Sequence, residues 1–317
     1  MPLDPDLEGF LELAQMGRLT GKSQPMHTQS VEQARQEFEQ TSAILDPTPP
    51  GSVTVTSLAV TARDGHVLPA RLYRAPGTAS LPVIMYLHGG GYVMGSLDSH
   101  DTICRRLAAS GQYAVFAPAY RLAPQARFPT AVNDSLDAAN WLAEQATNLH
   151  LDNRRIALAG DSVGATLATV LAITAVKTPQ HVAFKPWAQL LFYPVTDTSC
   201  QRDSHRQYAE DYLLETATLE CFYQHYCAEA RQRLDWRVSP LLAEGLTALA
   251  PAYISLAQYD PLYDEGQAYA RLLAESGTAV SLRVEPGLTH DFLRMTGITG
   301  AIAGIYEGAL HWLAQLR

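Results

Sequence analysis

Short apolar runs and helical segments alternate along most of this chain, beginning at Leu81. In the helical segments apolar residues recur every three or four positions, whereas the runs between them are short and continuous, as in buried strands. The predicted strands are the run from Leu81 to the glycines at 89–91 and residues 113–120, 155–160, 188–195, 252–260 and 281–287. The predicted helices are residues 101–110, 128–146, 163–176, 264–277 and about 299–316. This alternation is typical of an α/β fold with a mostly parallel central sheet and helices on both faces.

The segments outside this alternation predict an antiparallel strand pair and a helical cap. Residues 52–62 and 68–75 alternate in hydrophobicity, as an antiparallel pair with one solvated face does. The first fifty residues form a polar helical arm, and a polar, aromatic insertion with helical stretches and no strand interrupts the later strands. We expect arm and insertion to cover the strand ends together. The predicted parts are the arm (1–50), the α/β domain (51–196 and 236–317) and the cap insertion (197–235).

Composition limits the partners that the chain is expected to have. Of its 317 residues, 47% are hydrophobic and 17% charged, which is enough for one large core. The net charge is −9 and no basic run is present, so no nucleic-acid partner is expected. The N-terminus lacks the features of a signal peptide and no apolar run has the length of a membrane span, which predicts a cytoplasmic protein without membrane contact. The four cysteines lack metal-ligand spacing and are predicted to be buried or half-buried free thiols.

The pentapeptide Gly160-Asp161-Ser162-Val163-Gly164 carries the first chemical signal, because it matches G-x-S-x-G. It lies between a predicted strand and a predicted helix, where a strained turn would raise the Ser162 hydroxyl above the sheet. The helix that begins at Val163 would direct N–H groups at a developing anion. A glycine-rich turn without chemistry is the alternative, and the strand-before, helix-after context favours the nucleophile.

The loop His88-Gly89-Gly90-Gly91 follows the strand that starts at Leu81, upstream of the serine. Three glycines at a strand end can simply form a flexible turn. They also match the H-G-G-G type of loop, whose backbone N–H groups bind the oxyanion of a tetrahedral intermediate. Because both motifs occur in the expected order and context, we interpret this loop as an oxyanion hole.

An acid and a base are expected after the serine in chain order. Asp260 ends an apolar strand and is the predicted acid, although a turn residue before Pro261 would look the same. Asp264 and Glu265 open the next helix and are predicted to be N-cap and first-turn residues. His290 follows the last strand and is the predicted base. The other histidine after Asp260, His311, lies inside the terminal helix.

Five segments between Tyr86 and Phe292 resemble the bacterial branch of the hormone-sensitive-lipase family of α/β-hydrolases, and within it bacterial acetyl esterases. They are YLHGGGYVMGSLDSHD (86–101), YRLAPQARFPTAV (120–132), AGDSVGATLA (159–168), YDPLYDEG (259–266) and GLTHDF (287–292). The resemblance implies a carboxylesterase for short-acyl esters that uses no cofactor and no metal. None of these motifs lies in the N-terminal arm or in the insertion, so the resemblance does not extend to them.

The resemblance also implies roles for residues around the triad. The oxyanion donors would be the N–H groups of Gly90, Gly91 and Val163. The predicted substrate-binding residues are His88 and Gly89, which would shape the loop, Tyr92, which would line the pocket, and Asp161. Further candidates for the pocket lining, with core packing as the alternative for most, are Tyr193, Tyr208, Tyr212, Leu213 and Phe222.

Three positions depart from the family pattern. Val163 replaces the usual Ala, which leaves a backbone donor but would narrow the acyl side. Gln125 replaces a Glu and removes a charge that would brace its loop. Asp291 follows the predicted base, and we hypothesise that this second carboxylate raises the pKa of His290.

Other functions remain open on the sequence alone. An amidase, a carbamate hydrolase or a long-chain lipase could use the same triad. A catalytically dead small-molecule receptor, as among the related plant gibberellin receptors, would normally lack a catalytic residue, and here all are present. The physiological ester is not determined, and a homodimer through the last strand is left open.

Overall fold

The computed structural model describes residues 1–77, 80–247 and 249–316, and within them eight strands form one sheet. The strands lie in the order β1-β2-β4-β3-β5-β6-β7-β8. They are β1 (Thr54–Thr61), β2 (Val67–Arg74), β3 (Leu81–Leu87), β4 (Ala114–Pro118), β5 (Leu151–Asp161), β6 (Ala188–Phe192), β7 (Ala252–Tyr259) and β8 (Val280–Thr289). Strand β2 is antiparallel to β1 and β4, and all other pairs are parallel. The predicted α/β fold with a mostly parallel sheet is confirmed.

Helices cover both faces of this sheet because its buried strands are apolar on both sides. The helices are α1 (Pro5–Leu19), α2 (Val31–Leu45), α3 (Asp101–Ala109), α4 (Thr130–Gln145), α5 (Val163–Lys177), α6 (Asp203–Gln207), α7 (Thr216–Tyr226), α8 (Tyr263–Glu275) and α9 (Ala301–Ala314). In β3, Val83 and Met85 pack into the core shared with α4, α5 and α8. Ile84 and Tyr86 point the other way, into the core shared with α3 and α9. The sheet therefore separates two apolar layers.

The arm and the insertion supply helices outside this three-layered body. Helices α1 and α2 lie within residues 1–50, and α6, α7 and a 3₁₀ turn (Ala230–Leu234) lie within residues 197–235. Helix α2 begins at a capping box of Ser30 and Gln33. Arg35 of α2 donates to the carbonyls of Val93 and Ala123, at 2.8 and 2.9 Å. The arm is therefore hydrogen-bonded to the loops above the sheet, and its assignment to a cap remains a prediction.

The sheet ends at β8, which has a neighbour on one side only. Its Leu282 and Val284 are 40% and 39% exposed. Pairing of two chains through this edge remains a prediction. Among the described residues, no helix combines the length and apolar composition needed to cross a membrane.

Candidate active site

Strand register brings two of the predicted site residues together. Tyr259 at the end of β7 is paired with Thr289 at the end of β8. Because these strands are parallel, the residues that follow them, Asp260 and His290, leave the sheet side by side. Ser162 follows β5, at the same edge of the sheet.

His290 lies between the other two residues. Its Nδ1 is 2.7 Å from Oδ2 of Asp260, and its Nε2 is 3.0 Å from Oγ of Ser162. All three side chains are buried. A hydroxyl next to an imidazole that a carboxylate orients can form a nucleophile, a base and an acid. The structure thus gathers the predicted triad residues in the predicted order.

The turn at Ser162 is strained and tightly packed. Ser162 has φ 52° and ψ −123°, in a region that side-chain-bearing residues rarely adopt, and α5 begins at the next residue. A Cβ on Gly164 would lie 2.0 Å from the carbonyl oxygen of Leu87, and one on Gly160 would lie 2.4 Å from the backbone of Gly164. The two glycines of the motif are therefore required by the close approach of backbone atoms.

The glycine loop after β3 faces the same space as the serine. Gly90, Gly91 and Val163 line one cavity together with Ser162 and His290. Gly91 has φ +63°, and a Cβ there would lie 2.1 Å from Cδ2 of Phe222. The loop is thus held against α7 at a position where only glycine fits.

Behind the loop lies a buried carboxylate, Asp161. Its Oδ1 accepts hydrogen bonds from the Tyr86 hydroxyl at 2.7 Å and from the Gly89 amide at 3.0 Å. Nε2 of His100 lies 3.4 Å from its Oδ2. Burial opposes ionisation of Asp161, but the neighbouring His100 and the Tyr86 hydroxyl hold its pKa below the usual value. Asp161 therefore positions the loop from behind.

The prediction that Tyr92 lines the pocket is wrong. Its ring is buried, stacks on Tyr226 at 3.7 Å between centroids and is not among the residues that line the cavity. His88 stacks on Tyr120 at 4.3 Å, and burial lowers the pKa of His88 to about 4. His88, Gly89 and Asp161 also lie outside the cavity lining. These four predicted substrate-binding residues shape or support the site without facing the cavity.

The cavity has a volume of about 470 Å³, and its walls come from the α/β body, the arm and the insertion. Of the predicted lining residues, Leu213 and Phe222 line it, whereas Tyr193, Tyr208 and Tyr212 do not. The Tyr193 ring instead packs edge-on to His290, at 4.6 Å between centroids. The lining residues from the arm that the sequence did not single out are Phe10, Leu13, Ala14, Arg18, Ser23, Gln24, Pro25, Met26, Glu37, Phe38, Thr41, Ile44 and Leu45. Helical periodicity predicts which face of a helix is turned inward, but it does not predict that this face lies opposite a serine far along the chain.

The two acidic residues Asp264 and Glu265 lie in the first turn of α8, as predicted, but neither is its N-cap. The N-cap of α8 is Leu262, and Asp264 accepts a hydrogen bond from the Ser204 amide at 2.9 Å. Glu265 lies in the first turn but is fully buried. Its Oε1 accepts hydrogen bonds from the amides of Thr196 at 2.6 Å and of Asp197, the first residue of the insertion, at 3.2 Å. Both carboxylates thus hold the insertion to α8.

Gln125 and the cysteines also depart from expectation in part. Gln125 accepts a hydrogen bond from Arg35 at 2.9 Å, so the loop remains braced without a Glu. The cysteines are free, as predicted, but Cys200 is exposed. Among the described residues, no cluster of three His, Cys, Asp or Glu side chains is arranged to hold a metal ion.

Asp291 lines the cavity beside His290 and pairs with Arg294. Burial lowers the pKa of His290, but the carboxylates of Asp260 and Asp291 outweigh it, so that its pKa lies above the ordinary value. This raised pKa agrees with the hypothesis that Asp291 raises the pKa of His290, although Asp260 has the larger effect.

Fold and geometry together are those of an α/β-hydrolase. Comparison with known proteins agrees, since residues 84–294 match the family described as having the alpha/beta hydrolase fold. The chain belongs to this family, in the branch that resembles hormone-sensitive lipase.

Relatives and solved structures in this family resemble between 79% and 100% of the chain. An ethyl acetate hydrolase of Pseudomonas putida is 49% identical over 301 residues, which cover 94% of each chain. A carboxylesterase of Mycobacterium tuberculosis is 35% identical and covers 79% of this chain and 78% of its own. A hyperthermophilic esterase of Pyrobaculum calidifontis superposes with a TM-score of 0.90 at 35% identity, covering 100% of this chain and 98% of its own.

Proposed function

We propose that this protein is a carboxylesterase that cleaves short-acyl esters through an acyl-enzyme on Ser162. That it is a carboxylic ester hydrolase follows from its family and its relatives. The observation that carries the mechanism is the position of His290, 3.0 Å from Ser162 and 2.7 Å from Asp260. No cofactor takes part in the proposed reaction.

In the first half of the reaction, His290 takes the Ser162 proton while Oγ attacks the ester carbonyl. Asp260 fixes the imidazole through Nδ1 and stabilises the imidazolium. The amides of Gly90, Gly91 and Val163 are the proposed donors to the oxyanion. The tetrahedral intermediate collapses, His290 returns the proton to the leaving alkoxide, and the acyl group remains on Ser162.

In the second half, water replaces the alcohol. His290 takes a proton from the water, the hydroxide attacks the acyl carbon, and the bond to Ser162 Oγ breaks as the serine regains the proton. The products are a carboxylic acid and free enzyme. Every proton passes through His290, so its neutral form is needed at the start of each half.

A short acyl group is supported by the relative named for ethyl acetate and by the bulk of two side chains that line the cavity. Val163 and Phe222 border the nucleophile and the glycine loop. The rest of the cavity, between α1 and α7, is large and mainly apolar. We therefore expect a small acyl group and room for a larger apolar group on the alcohol side of the ester.

The test is steady-state hydrolysis of nitrophenyl esters from two to twelve acyl carbons by the protein and Ser162→Ala. Activity that peaks at two to six carbons and disappears in the variant supports the proposal. A maximum at long chains would refute the short-acyl class. Activity on a matched anilide but not on esters would indicate an amidase, and inertness toward esters and an organophosphate would indicate a receptor.

A further inference from the structure

Arg294 is a buried arginine on the loop that carries His290. Its side chain is 5% exposed and lines the active-site cavity. Its Nε donates to Oδ2 of Asp291 at 3.0 Å, and a second guanidinium nitrogen contacts the same oxygen. The remaining terminal nitrogen donates to the hydroxyl of Ser42. This guanidinium is therefore bonded to the catalytic loop and to the arm at once.

The contacts with the arm involve packing as well as hydrogen bonds. The guanidinium carbon of Arg294 lies 3.9 Å from the centroid of the Phe38 ring, a cation–π distance. Ser42 in turn donates to the backbone carbonyl of Phe38 at 2.7 Å. A buried cation is costly unless it is paired, and here a carboxylate and a ring face compensate it. Because its charge is already matched, Arg294 is not a free anion site.

Charges surround His290 from several elements. Asp161 at the end of β5 and Asp260 after β7 are negative, and the Tyr193 ring lies against the imidazole. Asp291 is the next residue, and Arg294 is the cation paired with it. Without Arg294, His290 would have an uncompensated second carboxylate beside it.

We propose that Arg294 is a positioning residue for the hydrolysis: it offsets part of the charge of Asp291 and ties the histidine loop to α2, so that Asp260 remains the main ionic partner of His290. This inference rests on the proposed function, in which His290 is the base. An unpaired Asp291 would stabilise the imidazolium before substrate binds and would compete with Asp260 for it. The neutral fraction of His290 would then be smaller at a given pH, and the first proton transfer would be slower.

The test is the pH dependence of kcat/KM, whose acid limb reports the pKa of the base in the free enzyme. In Arg294→Met the uncompensated Asp291 should move this limb to higher pH by roughly 0.5–1 unit. In Asp291→Asn the uncompensated Arg294 should move it to lower pH by a similar amount. Asn tolerates the left-handed backbone of Asp291, at φ 72°. In the double variant Arg294→Met/Asp291→Asn the acid limb should lie close to its wild-type pH. In Arg294→Lys, which keeps the charge, the limb should also lie near the wild-type pH.

Arg106→Met is the matched control. Arg106 also ties the arm to the body, through Asp46 at 2.7 Å and the carbonyl of Thr48 at 3.2 Å, but it does not line the active-site cavity. It should lower stability without moving the limb. Limbs that stay in place in both single variants would overturn the proposal and leave Arg294 a structural residue. If Arg294→Met does not fold, the limb of Asp291→Asn decides alone. Activity in Ser162→Ala or His290→Ala would instead overturn the proposed function itself.

Discussion

Tyr86 and Asp161 lie on neighbouring parallel strands, and the Tyr86 hydroxyl donates to Oδ1 of Asp161 at 2.7 Å. That same oxygen accepts the amide of Gly89, in the loop that carries the proposed oxyanion donors. Because Asp161 directly precedes Ser162, one buried carboxylate holds the nucleophile turn and the glycine loop in a common position.

Asp161→Asn should lower kcat much more than it changes KM. The amide keeps the shape but loses the negative charge that the Gly89 amide and His100 face, and charge-assisted hydrogen bonds are worth about 1.5–3 kcal/mol. We expect kcat on a short nitrophenyl ester to fall about 10- to 100-fold. Tyr86→Phe removes one donor and leaves the charge, so its effect should be several times smaller. Equal effects of the two variants would show that the charge has no role in positioning the loop.

Gly91→Ala should inactivate the protein through a steric clash between the added Cβ and the Phe222 ring. Its Cβ would lie 2.1 Å from Phe222, and a displacement of the loop by about 1 Å can cost about 100-fold in rate. Gly245→Ala is the matched control, because Gly245 has the same φ of +63° and nothing within 4 Å of an added Cβ. Both variants should lose about 1–2 kcal/mol of stability from backbone strain. An active Gly91→Ala would mean that the loop and α7 can separate freely.

Glu265 should make the protein less stable as pH rises. Burial, with the nearby Asp197 and Asp260 carboxylates, raises its pKa to about 8, against two backbone hydrogen bonds that favour the ionised form. Between the ordinary pKa of 4.5 and about 8, the unfolded chain has lost this proton and the folded chain keeps it. The free energy of unfolding therefore decreases with pH across this interval.

Glu265→Gln removes this proton and should remove this decrease. Relative to wild type, the unfolding free energy of the variant should gain roughly 1 kcal/mol or more between pH 5 and pH 8, measured by chemical denaturation. Glu220→Gln is the control: Arg233 holds the pKa of the Glu220 carboxyl below its usual value, so it does not titrate in this interval. Parallel pH profiles for wild type and Glu265→Gln would contradict the prediction.

Arg18→Ala should widen the range of accepted esters. Arg18, in the last turn of α1, forms an ion pair with Glu215 before α7, and both residues line the cavity. Losing the pair leaves Glu215 without its arginine partner and loosens the contact between arm and insertion. The ratio of kcat/KM for a ten-carbon ester to that for a two-carbon ester should rise at least about threefold, because the opened cavity admits more CH₂ groups. Arg206→Ala, which breaks the exposed pair with Asp203, should leave the ratio unchanged.

Much of the fold was predictable because it depends on local patterns. Buried strands are apolar runs and covering helices have a period near 3.6, so the strands and helices from Leu81 onward were located to within a few residues, as were β1 and β2. The residues Ser162, Asp260 and His290 were predictable for a related reason. Each directly follows a strand of a parallel sheet, and such ends meet at one edge.

Residues whose environment comes from distant segments could not be assigned in this way. The family resemblance predicts Tyr92 as a pocket residue, but Tyr226, far along the chain, stacks on its ring. The sequence predicts Glu265 as a first-turn residue, but its complete burial and its hydrogen bond from the Asp197 amide of the insertion follow only from the folded structure.

The pattern of residues along the chain thus decides which segments form strands and helices and which side chains leave the strand ends. The folded structure decides which arm residues face the serine and which carboxylates are buried, and it pairs Arg294 with Asp291. Periodicity records only whether a side chain is turned away from water. Which surface covers that side chain depends on segments that can be some 250 residues away, as Ser42 is from Arg294.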